Sequence, residues 1–200
     1  MRKTGLILTV VMLFTLILTG CGAKNVDASK ITTSTLTVLK GGKIDAVFVE
    51  DFSQSYYNQS ELDTMIKEEV EEFNKNSGSE SIKYITSIVA NNIAKVQLDF
   101  DNADIYSEYE GEYFYNGTVK DAVANGYSFD YELKSASDES STIDGTKILE
   151  LGDYGVVITA EPLHVSVPGK VMYVSVDASI VSENEVDTYE NPGETVILYK

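Results

Sequence analysis

The stretch Thr35-Leu-Thr-Val-Leu-Lys-Gly-Gly-Lys-Ile-Asp-Ala-Val-Phe-Val-Glu50 holds two runs with the period of a β-strand. Leu36 and Val38 alternate with Thr35 and Thr37. Ile44, Ala46 and Phe48 alternate with Asp45, Val47 and Val49. Successive strand side chains point to opposite faces, so each run offers one apolar face. Gly41-Gly42 separates them, and glycine accepts the positive φ that tight hairpin turns require. The stretch therefore reads as a β-hairpin, and Val47 and Val49 predict that its second strand is covered on both faces.

Downstream, Ser53 to Gln59 reads as a polar loop bearing tyrosines. Ser60 is predicted to cap a helix, with Asp63 at the capping-box position and Glu61 near the positive helix end. Leu62 begins an apolar stripe, with Met65, Ile66, Val70 and Phe73 following at offsets of 3, 4, 8 and 11, which is helical spacing. Glu68-Glu69-Glu71-Glu72 reads as the solvated face, and Lys75 and Gly78 as the end. A second hairpin follows: Ser81 to Ala90, a turn at Asn91-Asn92, then Ala94, Val96, Leu98 and Phe100 alternating with Lys95, Gln97, Asp99 and Asp101.

Beyond it, Asn102 to Glu110 suits a short helix and Tyr113-Phe114-Tyr115 a short strand. Thr118 is predicted to cap another helix ending at Gly126. Tyr127, Phe129 and Tyr131 alternate as a strand, and Ser135 to Gly145 reads as a flexible loop or internal boundary. Strands are then expected at Ile148–Leu151, Val156–Ala160, Leu163–Val167, as one long run at Val171–Val181, and at Thr195–Tyr199 after an Asn191-Pro192-Gly193 turn. Hairpins rather than βαβ units link the strands. The expected fold is α+β: a mostly antiparallel sheet with one main amphipathic helix on a face and short additional helices.

The amino terminus has a different character. Met1-Arg2-Lys3 is basic, and Leu6 to Leu18 is apolar apart from Thr9 and Thr15, the anatomy of a secretory signal. That run is shorter than the ~20 residues a spanning helix needs. Leu18-Thr19-Gly20-Cys21 resembles the lipobox of bacterial lipoproteins. The resemblance implies cleavage between Gly20 and Cys21, diacylglycerol on the Cys21 sulfur and acylation of the new amino terminus. Residues 1–20 would then be signal peptide, 21–33 a flexible tether and 34–200 one acidic domain. The protein would sit on the extracytoplasmic face of a bacterial cell membrane, its partner the lipid bilayer through the acyl anchor. Tyr113 to Tyr127 and Val167 to Tyr173 also resemble stretches in small uncharacterised lipoproteins of Gram-positive anaerobes, a resemblance that carries no activity.

Composition narrows the function classes. Cys21 is the only cysteine, so no disulfide can form within the chain. The formal charge of −17 becomes −19 without Arg2 and Lys3. So acidic a surface repels phosphate backbones, which excludes nucleic acid as a partner.

Several constellations point weakly to chemistry. Asp99, Asp101 and Glu110 fall at positions one, three and twelve of a calcium-loop count, but Ala103 and Asp104 occupy positions five and six, where a ligand and a glycine belong. His164, the only histidine, lies in an apolar strand and reads as a half-buried structural residue. No Gly-x-Ser-x-Gly elbow or phosphate-binding loop is present in the sequence. The tyrosines crowded before residue 120 read as sheet-rim packing or as a recognition surface. The expectation is a non-catalytic binding or structural surface domain without a cofactor. A ligand- or cation-binding module and a surface hydrolase are the alternatives.

Overall fold

The computed structural model describes residues 26–191 and 193–200. The signal segment, Cys21, the first part of the expected tether and Pro192 lie outside the described residues. Among those described, four α-helices and 13 strands form an α+β fold with two mostly antiparallel sheets.

The opening hairpin forms as read. β1 (Thr35–Val38) pairs antiparallel with β2 (Ile44–Asp51). The connection closes with Leu39 N–H donating to the Lys43 carbonyl, so the turn has three residues, with Gly41 and Gly42 at φ 93° and 85°. The second hairpin, β3 (Ile82–Ala90) and β4 (Ile93–Phe100), turns on Asn91 and Asn92 at φ 53° and 62°. Asparagine tolerates this left-handed region better than most side chains. β4 pairs with β2, and β1 pairs parallel with β9 (His164–Ser166). β12 (Glu185–Asp187) and β11 (Ser179–Ser182) extend this first sheet, giving the order β11-β12-β9-β1-β2-β4-β3. The parallel pair is what hairpin reasoning did not anticipate, since it joins strands more than a hundred residues apart.

The second sheet has the order β5-β8-β13-β10-β6-β7, from β5 (Phe114–Thr118), β6 (Leu133–Ser135), β7 (Thr142–Ile143), β8 (Gly155–Thr159), β10 (Val171–Ser175) and β13 (Thr195–Tyr199). One face carries Val157, Val171, Val174 and Ile197 into the same core as Leu36, Ile44, Leu98 and Val165 of the first sheet. The other carries Val156, Ile158, Val196 and Leu198 against Val119 and Ala122 of α3 (Val119–Ala124) and Ile148 of α4 (Gly145–Glu150). Covered on both sides, β8 and β13 read as near-continuous apolar runs. Each such side chain contributes roughly 1.5–3 kcal/mol through burial.

Several expectations are corrected. α1 (Gln59–Ser77) is capped by Asn58, not Ser60: the Asn58 side chain accepts from the Ser60 and Glu61 N–H groups. Asp63 instead accepts from the Tyr84 and Ser87 hydroxyls. Tyr127 to Tyr131 is irregular rather than a strand, because Phe129 turns into the second core and its carbonyl packs directly over Gly145. Ile148–Leu151 belongs to the helical turn α4 and its end, capped by Asp144, whose side chain accepts from the Lys147 N–H. A short apolar run does not distinguish helix from strand by periodicity. The expected long strand Val171–Val181 breaks at Val176-Asp177, where Ala178 N–H donates to the Ser175 carbonyl, and its halves join different sheets. Ser135 to Gly145, expected as a loop, holds the end of β6, all of β7 and the start of α4.

Residues 26–30, expected as free tether, lie against the outer face of the first sheet. Ala28 is buried, Gln97 Nε2 donates to the Val26 carbonyl at 3.1 Å and Lys95 Nζ to the Ser29 carbonyl at 2.9 Å. This segment docks on β4, and through Gln97 it reaches the second face of β2, where Asp45 and Val47 are buried. The double coverage foreseen from Val47 thus comes from the chain that precedes β1.

Candidate functional site

α1 lies along the β3–β4 side of the first sheet but does not seal it. Its apolar stripe buries Val70 alone, leaves Leu62, Ile66 and Phe73 half-buried, and leaves Met65 49 % exposed. Beside it runs a trough of about 1180 Å³. Its floor is Phe48, Ala94, Val96 and Leu98 of the sheet, and one wall is the α1 stripe. At one end, Phe52 stacks on Tyr57 with ring centroids 4.8 Å apart, and Tyr56 meets Tyr57 edge-on at 4.9 Å. Tyr56 is 73 % exposed. At the other end stand Tyr109 and Glu110 of α2 (Ala103–Glu110), with Tyr109 packed edge-on against Phe73 at 5.6 Å.

The rim is of one sign. Glu50, Asp51, Glu61, Glu69, Glu72 and Glu110 line the trough, and among the described residues no lysine or arginine does. Partial burial pushes the Glu110 carboxyl up to about 7, with further contributions from Glu161, Glu69 and Glu112. Burial also raises Tyr109 to about 12, helped by Glu69 and Glu110. Behind Glu110, the buried Tyr106 hydroxyl donates to Glu161 Oε2 at 2.8 Å, while Glu161 Oε1 is buried with no hydrogen-bond partner among the described residues. Burial raises Glu161 as well, against the lowering effect of the Tyr106 hydrogen bond. An apolar floor with unneutralised carboxylates at its edges favours a ligand that is itself apolar and cationic.

The residues singled out as a calcium loop are not brought together as one. Asp99 points to the outer face of β4, opposite Asp45 and Lys83 in register. Asp101 pairs with Lys43 at 2.7 Å. Glu110 belongs to the trough on the other face of the sheet. A regular helix, α2, capped by Asn102, fills the positions between. Among the described residues no group of three or more His, Cys, Asp or Glu is placed to hold a metal ion.

On the outer face, Asp45 is 5 % exposed and accepts from Gln97 Nε2 at 2.8 and 3.0 Å. Burial raises its carboxyl to about 6, and the nearby Asp99 adds to the shift. His164 is half-buried on this face, with Nδ1 3.4 Å from Glu185 and Nε2 3.4 Å from Asp187. Both ring nitrogens face carboxylates, and among the described residues no serine hydroxyl is bonded to the ring, so a nucleophile–base pair is not assembled there.

By their spacing Glu69 and Glu72 read as a solvated helix face; in the fold they stand on the trough's rim. A signal was present. Glu69 follows Leu62, Met65 and Ile66 at offsets of 7, 4 and 3, placing a carboxylate within the apolar stripe. Glu161 carried no local signal, because only the fold brings its loop to α2. The tyrosines divide: Tyr106 is core, Tyr113, Tyr115 and Tyr127 cluster together, and Tyr56, Tyr57 and Tyr109 line the trough. No protein-family model, curated protein or solved structure matches the chain.

Proposed function

We propose that this protein is a lipid-anchored extracytoplasmic lipoprotein whose folded part is a non-catalytic binding domain, with the α1 trough as its binding surface. The anchoring half rests on the lipobox-like Leu18-Thr19-Gly20-Cys21 after a basic and apolar leader. Two or more acyl chains hold a protein on a bilayer where one is marginal, each buried methylene contributing ~0.8 kcal/mol. The binding half rests on one observation: an open, apolar-floored trough along the longest helix, with an acidic rim and aromatic side chains at both ends.

The docked segment 26–30 gives the two halves a geometry. Four residues separate Cys21 from Val26, so the five Cα–Cα steps between them reach at most about 18 Å even fully extended. The chain enters on the outer face of the first sheet, and the trough lies on the other face. An anchor at Cys21 therefore holds the entry side near the bilayer and leaves the trough open to partners beyond it.

The test is the intact mass of the full chain recovered from bacterial membranes, beside Cys21→Ala. The expected result is an amino terminus at Cys21 carrying acyl mass, lost in the variant together with membrane association. A soluble chain with a free Cys21 thiol would overturn the anchoring.

A further inference from the structure

We propose that the trough receives a basic, amphipathic peptide segment of a partner protein, its apolar face on the exposed Met65 and the half-buried Phe48, Leu62 and Ile66 and its lysines or arginines against Glu69 and Glu110. This deepens the binding-domain reading and rests on it.

Three observations select this occupant. The first is shape. The lining runs from Asn58 to Asn76, nearly all of the 19-residue α1, or roughly 27 Å of helix. Its volume of about 1180 Å³ exceeds the roughly 300–1,000 Å³ of small-molecule pockets. A long open channel beside a helix suits an elongated segment, whose anchors at helical spacing would fill it as in other helix-in-groove complexes.

The second is the unfinished apolar contact. The 19-residue α1 buries one residue, leaves Met65 exposed, and leaves Leu62, Ile66 and Phe73 half-buried beside the half-buried Phe48 of the floor. The third is charge. Among the described residues six carboxylates and no cation line the trough, and the charge of −17 on the whole chain steers basic segments toward it. The exposed Tyr56 ring at the far end also accepts guanidinium or ammonium groups by cation–π contact. A neutral or acidic apolar segment would bury these carboxylates without compensation, which is strongly unfavourable.

The experiment uses the full acylated chain in phosphatidylcholine nanodiscs, titrated in about 0.15 M salt with labelled helical peptides of about 18 residues. One peptide places leucine on one face and lysine elsewhere, and a second replaces every lysine by glutamate. Since all variants sit in the same discs, peptide–lipid contact is common to every titration, and a thermal melt of each variant confirms its fold. The lysine peptide is expected to bind and the glutamate peptide is not. Glu69→Gln with Glu110→Gln should weaken binding about tenfold or more, whereas the equal charge change Glu132→Gln with Asp153→Asn should leave it within about twofold. Met65→Asp should also weaken it, although it adds a negative charge.

Tightening by Met65→Asp, or equal losses from the two charge-neutralising pairs, would overturn the proposal in favour of general attraction to an acidic surface. Absence of lysine-peptide binding up to about 100 μM would also overturn it. So would binding of free spermine, but not of the peptide, with the same sensitivity to Glu69 and Glu110. Anchoring is read separately from the mass at Cys21, and an unacylated chain would be titrated in solution with the same variants, so the two readings fail independently.

Discussion

Replacing Asp45 by asparagine should stabilise the fold at neutral pH and do little in acid. Asp45 is 5 % exposed, and burial moves its carboxyl from an ordinary 3.8 to about 6. The native state therefore binds a proton more tightly than the unfolded chain does. Its contribution is fully favourable below the unfolded pKa, falls as pH rises from 3.8 to about 6, and is flat above. About two pH units at 1.36 kcal/mol each put the destabilisation by the ionised carboxylate at ~3 kcal/mol or less.

Asparagine reproduces the protonated acid. Its Oδ1 accepts from Gln97 Nε2 as the carboxylate does, and its Nδ2 donates toward Asp99, the neighbour within hydrogen-bonding reach of a protonated Asp45. Urea unfolding at about pH 4 and about pH 7.5, read by circular dichroism, gives the stability of both proteins at each pH. The expected variant-minus-wild-type difference is near zero in acid and +1 to +3 kcal/mol, in order of magnitude, at the higher pH. Glu110 titrates in both proteins and cancels, so the difference reports Asp45 together with its coupled neighbour Asp99. An equal difference at the two pH values, or a variant less stable at the higher one, would refute the reasoning: the ionised carboxylate would then be well solvated or well paired.

Other outcomes follow from particular contacts. Gly145→Ala places a Cβ against the Phe129 carbonyl, which forces the backbone apart and should lower stability by about 1–3 kcal/mol in the same urea assay; a neutral effect would mean the Tyr127–Tyr131 segment is not held over α4. Asn58→Ala should cost about 1 kcal/mol through the lost cap, whereas Ser60→Ala should change stability by less than about 0.5 kcal/mol; a reversed order would return the cap to Ser60.

The character of each element was largely local, and so was legible in the sequence. The strict alternation of Ala94 to Phe100, the diglycine after Lys40, the paired asparagines at 91 and 92, and the stripe from Leu62 to Phe73 each state their structure within a few residues. Turn chemistry and periodicity act over that range, and they were enough for an α+β fold rich in hairpins. The segments that misled were those whose conformation is set by distant contacts. Phe129 abandons a strand-like pattern because the space above Gly145 and beside Ile158 belongs to the second core. Ile148 is helical because Asp144 caps it and the sheet beneath supplies the apolar surface it buries. Val171–Val181 reads as one strand but serves two sheets, divided by a turn that its apolar pattern hides.

The trough belongs to the same category. Local sequence determined that α1 has an apolar stripe and that Glu69 interrupts it. Only tertiary structure decided that this stripe would remain half-covered, that β2 and β4 would floor the gap, and that Tyr109 and Glu110 would arrive at its end, with Glu161 behind them. Periodicity specifies which face of an element is apolar. What that face meets, and how completely, depends on contacts between residues far apart in sequence, which no local pattern encodes.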